Sequence, residues 1–201
     1  MMDDDLTFYV RPDRGDWRLR MPRPDQMEEM FFEVEAKLDE YAHVGISGRE
    51  GNNRVLEYGS ECARYMRMLC YNTARFPLSV RCDRLDGVSD FDANLQLLRH
   101  GMPSYIFSRY AQGQDETQAA GGCSLTRTHD SHAAEILLLA ELHPHQVRVV
   151  EKHNKTGGEF GHRTEAVISW RGALREGILM LAAAAEAERL AATAAMQETE
   201  A

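Results

Sequence analysis

The sequence has few of the features that mark a secreted or membrane-embedded protein. Only four of its 201 residues are cysteine, and none forms a Cys-x-x-Cys pair, which favours reduced, buried thiols over a disulfide framework. The longest apolar run, Ile178 to Ala185, is far shorter than the roughly 20 residues that span a bilayer. The acidic N-terminus lacks the basic and apolar parts of a signal peptide. We therefore expect a cytoplasmic protein with no membrane partner.

Recognisable catalytic and nucleotide-binding motifs are also missing. The sequence contains neither the glycine fingerprint of dinucleotide-binding folds nor a phosphate-loop motif. No Ser-His-Asp or Cys-His arrangement can be assigned, because catalytic partners meet in space and nothing distinguishes one serine or cysteine from another. We therefore predict no cofactor and no catalytic residue.

Lysine is scarce, and nearly all of the positive charge is carried by arginine. The formal net charge of -9 disfavours nucleic acid on bulk grounds, but the charges are segregated along the chain. The acids gather between Asp25 and Glu61 and near the C-terminal end. Five arginines fall within thirteen residues: Arg11, Arg14, Arg18, Arg20 and Arg23. Together with Tyr9 they predict a face suited to phosphate contact and base stacking, and so to an anionic or nucleic-acid partner.

Hydrophobic periodicity predicts the elements of the first half of the chain. Residues 6–21 alternate around a turn that contains Pro12, Asp13 and Gly15, which predicts a β-hairpin with one apolar face and one arginine face. Apolar residues at helical spacing predict a helix over 25–43. The other predicted elements are a loop over 45–53, a helix from Asn53, a strand over 77–83, a short helix around Phe91, helical turns over 105–111 and a mobile loop over 112–122.

The second half predicts a buried helix over 133–142 with Ser131 as its N-cap, a second hairpin that pairs 147–150 with 166–168, and a long helix over 171–196. Residues 197–201 are expected to fray. Helices and strands do not alternate strictly, which favours an α+β fold. We predict a single domain over 1–201, mainly helical, with a small antiparallel sheet built from two hairpins and a long C-terminal helix.

Six of the eight histidines lie between Gly121 and His162. Four residues in this stretch are of types that zinc uses, and they are weak metal candidates: Cys123, His129, His132 and Glu135. His132 and Glu135 would share one helix face, but the spacing matches no standard closed site. The alternative is that the two histidines lie at the entrance of a helix, so no metal site is assigned.

Two triplets in the same stretch have the form His-x-Ser/Thr: His129-Asp130-Ser131 and His162-Arg163-Thr164. Two such triplets facing each other resemble the site of the 2H phosphoesterases. That resemblance implies one histidine as base, the other as acid, and hydroxyls that hold phosphate. In addition, His153 and His162 flank a glycine-containing loop, and the hairpin predicts that they face each other, which would make the loop pH-sensitive.

Taken together, the sequence favours a non-enzymatic interaction protein. The segregated charges predict binding to a macromolecular partner, and the alanine-rich helix over 171–196 predicts self-association. The alternatives are a nucleic-acid-binding protein that uses the arginine clusters and a metal- or histidine-dependent hydrolase that acts on a phosphoester.

Overall fold

The described structure is built from four helices and seven strands. The computed structural model describes residue 2 and residues 6–11, 18–49, 58–64, 67–114, 128–153 and 162–199. Within these ranges the helices are α1 (Pro24–Leu38), α2 (Ser89–Arg99), α3 (His129–Leu142) and α4 (Trp170–Thr199). The strands are β1 (Leu6–Val10), β2 (His43–Gly48), β3 (Gly59–Glu61), β4 (Leu69–Tyr71), β5 (Ser104–Gln114), β6 (Val147–His153) and β7 (His162–Ile168). In these ranges the search for a helix long and apolar enough to cross a membrane finds none.

The main sheet has five strands of mixed direction. Its central strand, β5, pairs in parallel with β2 on one side and antiparallel with β1 and β3 on the other, and β4 pairs antiparallel with β2. A separate sheet consists of β6 and β7. The predicted fold, mainly helical with one small antiparallel sheet from two hairpins, is therefore wrong. The parallel contact joins His43 to Ser104, and such distant pairing leaves no local signal in the sequence.

The N-terminal strand pairs with a partner other than the predicted one. β1 runs along β5, from Leu6 opposite Gln114 to Val10 opposite Tyr110. Of the predicted hairpin with residues 17–21, one bridge is present among the described residues, in which Val10 and Arg20 exchange backbone hydrogen bonds of 2.8 and 2.9 Å. The predicted turn falls within residues 12–17, which lie outside the described ranges. β1 is thus an edge of the main sheet.

Several local predictions are wrong, and two that missed a strand share a cause. Residues 105–111 lie in β5, the loop predicted from Gly45 begins inside β2, and residues 77–83 form no strand. Two glycines in β2 and an interspersed arginine in β5 weaken the apolar alternation that identifies strands. Residues 112–114 of the predicted loop also end β5, whereas residues 115–122 fall outside the described ranges. The helix predicted from Asn53, with Cys62 and Leu69 on one face, is also wrong where the structure describes it, because Gly59–Glu61 form β3 and Leu69–Tyr71 form β4 instead.

Elements with strong local patterns are confirmed. α1, α2, the hairpin of β6 and β7, and the long helix α4 form where the sequence predicts them. α1 ends at Leu38, earlier than predicted, because β2 begins at His43. α3 starts four residues earlier than predicted, since Thr128 caps it in place of Ser131.

Of the four apolar clusters among the described residues, the two larger ones form the main cores. In the first, Met30 and Val34 of α1 pack on one face of the main sheet against Val44, Ile46 and Tyr110. The second lies between α2, α3, α4 and the hairpin, and its fully buried members are Leu95, Leu98, Leu139 and Ala173. The elements that follow β5, namely α3, the hairpin of β6 and β7, and α4, therefore pack against α2.

Gly177 lets α4 approach α2 closely. A β-carbon at this position would lie 2.5 Å from the carbonyl oxygen of Leu98 and 2.6 Å from that of Arg99. We expect Gly177→Ala to lower the free energy of unfolding by about 1–3 kcal/mol, because the helix has to move away from fixed backbone atoms. Chemical denaturation measures this loss. Gly172→Ala is the matched control, since its β-carbon would meet the Ser169 side chain, which can rotate; equal losses in the two variants would contradict the packing argument.

Candidate functional site

An arginine and a tyrosine form a flat platform at the carboxyl edge of the parallel pair β2 and β5. Arg49 follows the last residue of β2, and its guanidinium lies 4.4 Å from the centroid of the Tyr9 ring. Its Nη1 donates a hydrogen bond of 3.0 Å to the Tyr9 hydroxyl. Gly113 lies beneath both, because a β-carbon there would be 3.2 Å from Tyr9 Cε2 and 3.6 Å from Arg49 Cδ. We call Tyr9, Arg49 and Gly113 the edge platform.

The edge platform is open to a ligand. Arg49 is exposed and forms no ion pair with any described residue, so most of its five N–H donors are available. Ligands of open sheets with parallel strands bind beyond the carboxyl ends of those strands. A guanidinium that is stacked on a ring is held in one plane, which suits it to a phosphate or carboxylate.

Arg11, the first of the five arginines predicted to contact a partner, is buried. Its exposed fraction is 2%, and its backbone N–H donates to the carbonyl oxygen of Arg109 at 2.9 Å. Burial lowers the pKa of Arg11, although the nearby Tyr58 acts in the opposite direction. Arg11 therefore belongs to the interior rather than to an exposed face.

The other four predicted contact residues are spread along the neighbouring segment. Arg18 and Arg20 are exposed. Arg23 is also exposed and forms an ion pair of 2.8 Å with Asp25 at the start of α1, so part of its charge is balanced. Arg14 lies outside the described residues. Contact of this segment with a partner stays a prediction.

A partly exposed cluster around Arg109 was not predicted from the sequence. Arg109 donates hydrogen bonds to the carboxylates of Glu29 at 3.0 Å and Glu33 at 2.5 Å, and it lies over the rings of Tyr58 and Tyr110. Burial alone would lower the pKa of Arg109, but the hydrogen bond with Glu29 and the surrounding charges raise it. These contacts fasten α1 to β5, and balance the charge of this arginine within the fold.

The three weak metal candidates that the structure describes do not come together as a metal site. Cys123 lies outside the described ranges. Glu135 accepts a hydrogen bond of 2.8 Å from a backbone N–H of the loop before α2, His132 is buried, and His129 contacts the carbonyl oxygen of His162 through Nε2. Among the described residues, no group of three histidine, cysteine, aspartate or glutamate side chains could hold a metal ion.

Three histidines do meet at the end of the hairpin. His153 and His162 are cross-strand partners with ring centroids 4.2 Å apart, which confirms that they face each other. His129 stacks on His162 at 6.4 Å, and the Glu151 carboxylate lies 4.0 Å from His162 Nε2. The two His-x-Ser/Thr triplets are therefore neighbours through their histidines.

The hydroxyls of these triplets are engaged within the fold. Ser131 donates to the backbone carbonyl of Thr128 and accepts the Thr128 N–H in the reciprocal cap of α3. Thr164 donates to Glu151 at 2.8 Å. Neither hydroxyl is thus placed as the phosphate ligand that the phosphoesterase resemblance implies.

A buried carboxylate joins α2 to the segment that follows α3. Asp92 is 1% exposed and bonds to His143 Nε2 at 2.7 Å, to Arg84 Nε at 2.9 Å and to Gln96 Nε2 at 3.0 Å. Burial acts to raise the pKa of Asp92, but the hydrogen bonds with His143 and Arg84 outweigh it and lower the pKa below its usual range. Because Asp92 and His143 are both closed to solvent, this network is structural.

One comparison relates the chain to known proteins. A family model described as TET-Associated Glycosyltransferase matches residues 1–122. The matched span contains the whole main sheet and the edge platform, whereas the histidine cluster lies outside it. No curated protein and no solved structure matches the chain. The family description names an enzyme, which conflicts with the prediction of a non-enzymatic interaction protein.

Proposed function

Because that match covers more than half of its 201 residues, the chain belongs to the TET-associated glycosyltransferase family, and we propose that it transfers a glycosyl group from an activated sugar donor to an acceptor hydroxyl. The match of residues 1–122 is the observation that carries this proposal. In such a transfer the bond between the anomeric carbon and the leaving group breaks, a bond to the acceptor oxygen forms, and the hydroxyl proton is released.

The edge platform is proposed to bind the donor. Sugar donors commonly leave a phosphate or diphosphate, whose developing negative charge needs positioned donors of hydrogen bonds. Arg49 is exposed, carries a full charge and is aligned by Tyr9. Gly113 is buried beneath both side chains, and its missing β-carbon lets the Tyr9 ring and Arg49 lie close to the backbone. These contacts support the placement of the leaving group beside Arg49.

We expect Arg49→Gln to weaken donor binding about 10- to 100-fold, because a hydrogen bond to a charged group is worth about 1.5–3 kcal/mol. The affinity is measured by calorimetric titration with a panel of nucleoside diphosphate sugars and with the free nucleoside diphosphates. Arg189→Gln is the matched control, since Arg189 is exposed and paired with Glu186 on α4, away from the main sheet. Unchanged affinity in Arg49→Gln, with a donor that the wild type binds, would remove the edge platform from the proposal.

The family description also makes a TET protein a proposed functional partner. Nucleic-acid contact through Arg18, Arg20 and Arg23, self-association through 171–196 and a cytoplasmic location all stay predictions. The exposure of α4 from Ala182 to Gln197 is consistent with self-association. Light scattering over micromolar concentrations tests it, and a strictly monomeric protein would contradict it.

A further inference from the structure

A cavity of about 440 Å³ lies where the end of β3 meets the first turns of α4. Its walls are Glu61, Cys62, Arg171, Leu174, Arg175, Ile178 and Leu179. Five of these seven residues belong to α4, which lies beyond the span that the glycosyltransferase family model matches. A cavity of this size falls in the range of small-molecule sites, which is about 300–1,000 Å³.

The polar part of the cavity carries an excess of positive charge. Arg171 and Arg175 are four residues apart on a helix and therefore lie on the same face. Both are exposed, and neither forms an ion pair with any residue in the part of the chain that the structure describes. The one carboxylate in the walls, Glu61, accepts a hydrogen bond of 2.5 Å from the Tyr41 hydroxyl. Two guanidinium groups against one carboxylate favour a ligand with an anionic head.

The rest of the cavity is apolar. Leu174 is half-buried in the second core, and Ile178 and Leu179 remain 51% and 64% exposed. Burial raises the pKa of the Cys62 thiol, and the backbone hydrogen bond with Ser104 and the charge of Arg171 only partly offset this effect. A neutral thiol and three aliphatic side chains suit an apolar body rather than a sugar.

The walls are held in place by the packing of α4. Ala173, which is fully buried, and Gly177 lie against the second core and α2 on the same stretch of helix. Leu181 lies close to Gly101, where a β-carbon would be 2.6 Å from its Cδ1. The helix backbone that carries the two arginines is therefore fixed by packing.

We propose that this cavity binds a small amphipathic anion, with its carboxylate or phosphate head on Arg171 and Arg175 and its apolar body on Leu174, Ile178 and Leu179. The proposal does not depend on glycosyl transfer, because the cavity is separate from the edge platform. The same chemistry is offered by a free single-chain acid and by an anionic membrane lipid.

Decanoate tests the site, and decanol, which has the same chain without the charge, is the ligand control. In calorimetric titration of the full chain, we expect decanoate to bind at least about tenfold more tightly than decanol. The double variant Arg171→Gln, Arg175→Gln is expected to lose this difference, and Arg189→Gln on the same helix to retain it. Equal affinities for decanoate and decanol, or no binding of decanoate, would overturn the proposal.

A second variant keeps the test decisive if the double variant unfolds. Ile178→Trp adds bulk at an exposed wall position and is expected to block decanoate while circular dichroism shows an unchanged fold; undiminished binding would place decanoate elsewhere and overturn the site. Sedimentation with phosphatidylglycerol vesicles distinguishes the two possible ligands, a free single-chain acid and an anionic membrane lipid. Vesicle binding that the double variant loses identifies a membrane lipid, and binding of decanoate alone identifies a free acid.

Discussion

Asp92→Asn is expected to lower the free energy of unfolding by about 3–5 kcal/mol, because it removes one partner of a buried charged network. The carboxylate is 1% exposed and is bonded to His143, Arg84 and Gln96. An amide in its place carries no charge to balance Arg84. It also turns a donor toward groups that already donate. The Arg84 guanidinium then loses its carboxylate partner in a largely enclosed position.

Urea denaturation monitored by circular dichroism measures this loss. Asp83→Asn is the matched control: Asp83 pairs with Arg81 at 2.8 Å, but both side chains are more than 60% exposed, and an exposed pair contributes about 0–1 kcal/mol. Similar losses in Asp92→Asn and Asp83→Asn would show that the buried network contributes little.

The same network has a pH dependence of definite sign. The pKa of Asp92 is lowered in the folded protein, so the unfolded chain takes up the proton first on acidification. The stabilisation is complete above the pKa of an unfolded aspartate, about 3.9, and is lost as the pH falls through the lower folded value. Asp92 therefore contributes to acid unfolding only below about pH 4.

Acidification is also expected to destabilise the protein through His43, at pH values above those at which Asp92 is protonated. Burial lowers the pKa of His43 to about 3, and the nearby Asn94 side chain opposes this only in part. The unfolded histidine titrates near 6.5, so between about pH 6.5 and 3 the unfolded state binds one more proton. Stability is complete above this window and falls by up to about 1.4 kcal/mol per pH unit within it. Over two units the expected loss is on the order of 2–3 kcal/mol.

His43→Phe isolates this effect. The phenyl ring keeps the contact with Tyr71, whose ring centroid lies 4.4 Å from that of His43, but it cannot be protonated. Free energies of unfolding are compared at pH 7, 6, 5 and 4. We expect the slope of the variant to be shallower than that of the wild type, since all other titratable groups are common to both proteins. Parallel slopes would mean that His43 is not kept neutral by burial.

Local patterns predicted part of the fold and could not have predicted the rest. The helical spacing of α1 and α4 and the alternation in β6 and β7 arise from contacts within each segment or between near neighbours. β5 joins β1, β2 and β3 across long stretches of chain. Its polar and small residues are tolerated because neighbouring strands cover both of its edges, and this condition cannot be seen in one segment.

In the candidate site, too, the sequence could predict only what depends on neighbouring residues. Arg11 was grouped with its neighbours by position, but the pairing of β1 with β5 buries it. Arg49 had no distinguishing neighbour in sequence, because the tyrosine on which it stacks is forty residues away. The histidine triplets left open whether His129 and His162 meet, and in the structure their rings stack. They could not indicate that the adjacent hydroxyls serve the helix cap and the hairpin.

The missing catalytic motifs were weak grounds for a non-enzymatic protein. A glycosyl transfer needs a bound donor, a positioned acceptor and an acceptor for one proton, and these groups can come from separate strands and loops. The family match over residues 1–122 carries information that no local spacing in this sequence contains. The enzymatic reading therefore follows from that match, and the edge platform is its proposed structural counterpart.

The most direct test of the account is turnover of a sugar donor. Purified protein is incubated with nucleoside diphosphate sugars labelled in the sugar, together with small alcohols, nucleosides and hydroxyl amino acids as acceptors, and release of the nucleoside diphosphate is followed with transfer of the label. We predict protein-dependent release from at least one donor, reduced at least about tenfold in Arg49→Gln and unchanged in Arg189→Gln. Release no faster than in protein-free controls for every donor would contradict glycosyl transfer by this chain.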